Sequence, residues 1–217
     1  MYIFLDLDGP ILDVSEKYYC VYSDLVDELG GKPITKEEFW EYKRQRAEKG
    51  KILARSLIPG EEERYSERRR EIIETEGYLR IDSIWPGVKE TLHEISKSCS
   101  LYLVTARSNR SSLLWQLKTL GINSLFKKII SPDENEMFLP REELKSTMVR
   151  RELGKIELNG WFIGDTDTDT VAGKLLELRT GVVTYGIRSE EIVNSYGADE
   201  VFSDPSEFIS WSALQFS

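Results

Sequence analysis

Hydrophobic and polar positions follow two different patterns along the chain. Residues 2–7, YIFLDL, form a short apolar run closed by acids and Gly9-Pro10, which predicts a buried strand followed by a turn. Helical periodicity then continues for about seventy residues. Tyr18, Tyr22, Leu25, Val26 and Leu29 make one apolar stripe, and Gly30-Gly31 stops it. Thr35 and Glu38 have capping-box spacing ahead of a second helix ending near Gly50. A short segment at 51–58 is broken by Pro59-Gly60, and residues 61–76 predict one long third helix ending at Gly77. No strand signal occurs between 15 and 78.

After Trp85-Pro86-Gly87 strands and helices alternate. The predicted order is helix 87–97, strand 101–105, helix 109–120, strand 127–131, helix 141–153 and strand 161–165. Helix 168–178, strand 181–185, helix 188–196, strand 200–203 and a last helix follow. This alternation implies right-handed crossovers and a parallel sheet. The expected architecture is an α/β, Rossmann-like doubly wound core from residues 1–14 and 81–217, with an all-helical insertion at 15–80.

Composition narrows the chemistry. The chain carries 29 Lys and Arg against 38 Asp and Glu, a net charge of −9. Residues 32–70 reverse this, with 12 basic and 8 acidic groups. A positive island in an acidic protein suits a small anionic substrate, whereas two solvated helices laced with ion pairs would also produce it. The acidic remainder disfavours nucleic acid as a partner. No run approaches the roughly 18–20 apolar residues of a membrane span, and the N-terminus lacks a basic leader region, so a cytoplasmic protein is expected. Cys20 and Cys99 make no disulfide framework. The single His93 sits on a helical pattern as a surface residue, which leaves no histidine for serine or cysteine hydrolase chemistry.

Ligands of open α/β sheets bind beyond the carboxyl ends of the strands. Those ends carry Asp6 and Asp8, then Thr105, then Asp165 with Asp167 and Asp169. Neighbouring carboxylates repel unless a cation neutralises them, and Mg²⁺ suits one or two carboxylates with phosphate and water. Each piece has an ordinary alternative: an Asp turn at Asp8-Gly9, a turn cap at Thr105, a capped helix N-terminus at 165–169. An EF-hand loop fails, because Thr170 and Leu176 stand where Gly and Glu are required. No Walker-type phosphate loop is present.

In order and spacing, FLDLDGPILD, LVTARS and FIGDTDTDTVAGK resemble the haloacid dehalogenase-like hydrolase superfamily, specifically its phosphatase branch with an alpha-helical (C1-type) cap and phosphoglycolate phosphatase-like members. The resemblance spans essentially the whole chain. It implies that Asp6 is a nucleophile forming an aspartyl-phosphate and that Asp8 is general acid, then base. It further implies that Thr105 and the backbone amides of Leu7, Asp8 and Ala106 hold the phosphoryl oxygens. Mg²⁺ would be bound by Asp6, the Asp8 carbonyl and Asp165, with Asp169 supporting the metal shell. Asp167 is surplus to the motif and is expected in a solvent-facing turn.

The sequence departs from the family in two respects. The usual lysine of the penultimate motif falls near Pro140, so Lys145 is taken as its equivalent, with Arg141 as the rival. Pro10 after Asp8-Gly9 removes one backbone donor. In the insertion, Arg44, Arg46, Lys49, Lys51 and Arg55 are the candidate substrate contacts, Arg44, Lys49 and Lys51 foremost. The implied activity is Mg²⁺-dependent hydrolysis of a small phosphate ester, phosphoglycolate-like, by a monomer or homodimer. A phosphomutase of the beta-phosphoglucomutase type and a catalytically silent phosphate-binding regulator are the alternatives.

Overall fold

The computed structural model describes residues 1–154 and 159–216. The chain divides into two compact units, Met1–Asp13 with Ile84–Ser217, and Val14–Ser83.

The larger unit is built on a six-stranded sheet. In chain order its strands are β1 (Tyr2–Leu5), β4 (Ser100–Val104), β5 (Lys128–Ile130), β6 (Gly160–Gly164), β7 (Arg179–Val183) and β8 (Glu200–Phe202). In space they run β5-β4-β1-β6-β7-β8, and each neighbouring pair is parallel. Strand order therefore reverses between β1 and β6, the crevice where ligands of doubly wound sheets bind. Two further short strands, β2 (Leu12–Asp13) and β3 (Ser83–Ile84), pair in a separate ribbon.

The strands are mostly apolar because both faces are covered, as in other parallel sheets, and Lys128, Arg179 and Glu200 stand only at strand starts. On one face Phe4 stacks on Tyr102 and Phe162, with ring centroids 5.1 and 6.0 Å apart. Val104, Met148 and Val149 complete that layer. Met148 and Val149 come from α8 (Arg141–Leu153). Register is fixed by Tyr2 facing Ser100 on one side and Gly160 on the other. A side chain at Gly160 would overlap the Tyr2 carbonyl, so glycine lets β1 and β6 approach.

In the smaller unit, α1 (Ser15–Glu28) turns Tyr22, Leu25 and Val26 inward, as its stripe predicts. Tyr22 stacks on Phe39 of α2 (Lys36–Arg44) at 4.3 Å, and its hydroxyl lies 2.5 Å from the buried Ser56 Oγ. Two helix boundaries differ from the sequence expectation. The second helix stops at Gln45, because Arg46 adopts φ 57° and the Ala47 amide donates back to the Tyr42 carbonyl. Gly50 instead lies within α3 (Lys49–Arg55). The single helix expected at 61–76 is two, α4 (Glu62–Ile72) and α5 (Glu76–Leu79), because Thr75 is extended and its hydroxyl donates to the Ile72 carbonyl. The capping box at Thr35 is half made. Thr35 Oγ1 accepts the Glu38 amide at 3.2 Å, while the Glu38 carboxylate pairs with Arg55.

Lys17 and Asp82 form an ion pair at 2.7 Å inside this unit, both side chains almost wholly removed from water. Taking one partner from a buried pair costs about 3–5 kcal/mol. Lys17→Met is therefore expected to lower the thermal midpoint sharply, and Lys17→Met with Asp82→Leu to recover most of the loss. Calorimetry of the three proteins checks this, and a single variant as stable as wild type would contradict it.

Candidate active site

Asp6 directly follows β1, and its amide donates to the Ile163 carbonyl at 2.9 Å, continuing the β1–β6 ladder by one step. Asp165 directly follows β6 and is fully buried. Thr105 directly follows β4, its amide on the Ile130 carbonyl at 3.0 Å. Parallel pairing thus brings three polar residues to one edge of the sheet, on the two sides of the switch point.

The segment after Asp6 closes on itself. The Gly9 amide donates to the Leu12 carbonyl, the Leu12 amide to the Leu7 carbonyl, each at 3.0 Å, and Trp85 Nε1 donates to the Gly9 carbonyl at 2.8 Å. Gly9 has φ 105°, and a side chain there would overlap the Asp165 carboxylate, so two independent constraints demand glycine. Asp8 is half-buried on this loop, Leu7 buried, and Ala106 exposed beyond β4.

Lys145 lies one turn into α8, on the buried face with Ser146, Met148 and Val149. Its Nζ is 3.0 Å from Asp6 Oδ1 and 2.5 Å from Asp169 Oδ1. Arg141, its rival, is exposed at the first residue of α8. The run after Asp165 opens α9 (Asp167–Leu175). Asp169 Oδ2 accepts from the Thr166 amide at 3.0 Å and the Thr166 hydroxyl at 2.6 Å, so Asp169 caps its own helix while its other oxygen meets Lys145. Asp167 is not in a turn but is the half-buried first residue of that helix.

Carboxylate oxygens of Asp6, Asp165 and Asp169 all lie within 4.8 Å of one another. A family model described as haloacid dehalogenase-like hydrolase matches residues 2–183. The chain belongs to the haloacid dehalogenase-like hydrolase family. It is 31% identical over 121 residues to pyrophosphatase PpaX of Halalkalibacterium halodurans and 25% identical over 127 residues to PpaX of Oceanobacillus iheyensis. Those matches cover 55% and 58% of this chain and span little more than half of each relative, 54% and 58%. Among solved structures, the haloacid dehalogenase-like family protein SP0104 from Streptococcus pneumoniae superposes with a TM-score of 0.77 at 19% identity, over 97% of both chains. A predicted phosphoglycolate phosphatase from Haemophilus somnus 129pt gives 0.74 at 17%, again over 97% of both. At these identities the likeness is one of fold.

The electrostatics of this hydrolase call for a cation. Burial above all, with the charges of Asp169 and Asp8, pushes Asp6 up to about 7 despite the opposing pull of Lys145. Burial and then Asp6 and Asp169 hold Asp165 well above the usual carboxylate range. Burial lowers the Lys145 ammonium, but Asp169 and Asp6 outweigh it and leave the group above its ordinary value. One ammonium among three carboxylates leaves excess negative charge in a desolvated place. Asp165 Oδ2 accepts the Ile187 amide at 2.5 Å, while its buried Oδ1 has no hydrogen-bond partner among the described residues. A hard divalent ion with oxygen ligands fits an orphaned carboxylate oxygen in that setting.

A sign follows for stability without metal. The unfolded chain loses the Asp6 proton near 3.8, whereas the folded chain keeps it to about 7. Between those values the folded state binds more protons, so this group's contribution to stability falls as pH rises. Asp165→Asn removes one like charge and keeps an acceptor for Ile187. In EDTA the variant's thermal midpoint is expected to gain on wild type from pH 5 to pH 7, and added Mg²⁺ to raise the wild-type midpoint alone. Parallel pH curves for the two proteins would contradict this.

Three of the basic residues singled out in the insertion have partners in their own unit. Lys49 Nζ meets Ser66 Oγ, Lys51 lies 5.3 Å from the Tyr42 ring, Arg55 pairs with Glu38 at 3.0 Å, and Arg44 is half-buried at the end of α2. Two other cations, Lys43 and Arg69, gather at one ring, 5.3 and 5.1 Å from the centroid of Tyr18. Sequence reasoning also passed over Arg107, which is buried against Asp8. Asp8 and Arg107 each follow the end of an adjacent parallel strand, but nothing in the sequence marks the arginine as buried. No helix among the described residues is long and apolar enough to cross a membrane.

Proposed function

We propose that this hydrolase is a Mg²⁺-dependent phosphomonoesterase that acts on a small phosphorylated metabolite through an aspartyl-phosphate on Asp6. The observation that carries the reading is the buried ammonium of Lys145 between Asp6 and Asp169, beside the unpartnered oxygen of Asp165. An acyl-phosphate needs a carboxylate nucleophile with cationic groups around the phosphoryl oxygens, and this arrangement supplies both.

In the first step an Asp6 oxygen bonds to phosphorus, the ester P–O bond breaks, and the leaving oxygen takes a proton from Asp8. In the second, Asp8 takes a proton from water, the water oxygen attacks phosphorus, and Asp6 is regenerated as phosphate leaves. Thr105 and the backbone amides of Leu7, Asp8 and Ala106 bind the phosphoryl oxygens, and Lys145 offsets their charge. The side chains of Asp6 and Asp165 and the Asp8 carbonyl would hold the metal, with Asp169 in support through water. When bound, Mg²⁺ supplies positive charge toward the phosphoryl group.

A second reading, pyrophosphate as substrate, is favoured by the name shared by both PpaX relatives.

The test is phosphate release from an aryl phosphate, phosphoglycolate, pyrophosphate and a hexose 1-phosphate, each with Mg²⁺ or with EDTA. Metal-dependent release from at least one monoester is expected. Release from pyrophosphate alone would favour the second reading. Conversion of hexose 1-phosphate to its 6-phosphate with little free phosphate would identify a mutase, and no turnover of any kind a regulator.

A further inference from the structure

We infer that Arg107 is a positioning residue for Asp8, held in turn by Gln116; the inference rests on the proton-transfer role proposed for Asp8. Arg107 stands two residues beyond Thr105 and is 5% exposed, although most arginines keep the guanidinium in water. Its Nε donates to Asp8 Oδ2 at 3.2 Å and its Nη2 to Asp8 Oδ1 at 2.5 Å. This two-pronged pairing fixes the plane of the carboxylate as well as its distance.

The other side of the guanidinium is also engaged. Arg107 Nη1 donates to Gln116 Oε1. Gln116 belongs to α7 (Arg110–Leu120), where it shares the buried face with Leu113 and Leu117. A glutamine on an apolar face costs free energy unless its polar atoms are matched, and the guanidinium is the match. The Arg107 amide is tied as well, donating to Thr105 Oγ1 at 3.3 Å. The result is a rigid chain from α7 through Arg107 to Asp8, carried on loops that leave adjacent parallel strands. With Nε, Nη1 and Nη2 all turned to protein partners, Arg107 acts on the reaction through Asp8 rather than by holding substrate.

The consequence is selective. Delivery of a proton matters for a leaving group that is a poor anion, such as an alkoxide, and little for one that departs readily as an anion. A misplaced Asp8 should therefore penalise alkyl phosphates far more than activated aryl phosphates. Steady-state kcat and KM would be measured for wild type, Asp8→Asn, Arg107→Met and Gln116→Met on 4-nitrophenyl phosphate and on an alkyl phosphate such as glycerol phosphate. For Arg107→Met, kcat on the alkyl ester is expected to fall about 10²-fold, within the usual range for general acid–base catalysis. On the aryl ester the fall should be a few-fold, with KM little changed on both. Gln116→Met should show the same split at smaller size, and it carries the test if Arg107→Met does not fold. Arg107→Lys should not restore the alkyl rate, because an ammonium cannot reproduce the fork. Equal losses on the two esters, or none, in variants beside a selective Asp8→Asn would overturn the positioning role. Failure of Asp8→Asn itself to discriminate between the esters would instead overturn the proton-transfer role beneath it.

Discussion

Asp6→Asn is expected to lower phosphate release by about 10⁴-fold or more, the scale on which removal of a covalent nucleophile acts. The substitution keeps the side-chain shape, although it also takes one carboxylate from the set proposed to hold the metal. An amide oxygen still accepts from Lys145 Nζ, now 3.0 Å from Asp6 Oδ1, and Lys145 keeps its 2.5 Å contact with Asp169. The variant also removes a buried acid that burial and neighbouring carboxylates push up to about 7. Its thermal midpoint above pH 7 in EDTA should consequently equal or exceed that of wild type. Activity and stability thus move independently, which separates loss of the nucleophile from loss of the fold. Wild type quenched in acid during turnover of a labelled ester should retain label that hydroxylamine releases, and the variant should retain none. A variant that turns over at more than about a hundredth of the wild-type rate would remove Asp6 from the attacking role, given that scale.

The parts of this site that were legible in the chain are those set by the sheet. A parallel strand buried on both faces reads as an apolar run, and the first polar residue after it lies at the ligand edge whatever the loops do. Asp6, Thr105 and Asp165 each directly follow a strand, so their meeting depended only on strand order. Lys145 was legible less directly, as the lysine nearest the place the family motif assigns; the structure puts it on the buried face of α8 with residues 146, 148 and 149. Arg107 was not, because an arginine in a loop after a strand reads as a solvated residue until its partners on β1's loop and on α7 are known. The cations of the insertion were illegible for a related reason. Arg55 turns to Glu38 and Lys49 to Ser66, choices made by how the helices of that unit pack. Its helix ends were misjudged where no Gly or Pro marks them, at the left-handed Arg46 and the extended Thr75.

Lys145→Met is expected to damage fold and chemistry together, which distinguishes it from Asp6→Asn. Methionine fills nearly the same volume on α8 but leaves Asp6, Asp165 and Asp169, all within 4.8 Å, without the ammonium. Removing one partner from a buried charge cluster costs about 3–5 kcal/mol. The cost should depend on pH in a definite direction. Without the lysine, Asp6 and Asp165 hold protons to still higher pH than in wild type, whereas the unfolded chain releases them near the ordinary value. The variant's deficit is therefore smallest near pH 5 and grows toward pH 8. Lys145→Arg should not repair it, because a planar guanidinium cannot replace a compact ammonium seated between two oxygens. If a divalent ion occupies the carboxylates, saturating Mg²⁺ should recover part of the stability of Lys145→Met, since a ligand that binds only the folded state raises its midpoint. Phosphate release should remain at least about 10²-fold below wild type even then, because the cation proposed to face the phosphoryl oxygens is gone. Thermal melts of both variants at pH 5 and pH 8, with Mg²⁺ and with EDTA, check the three stability statements, and a phosphate-release assay checks the fourth. A pH-independent deficit would mean that Lys145 stabilises the fold by packing alone.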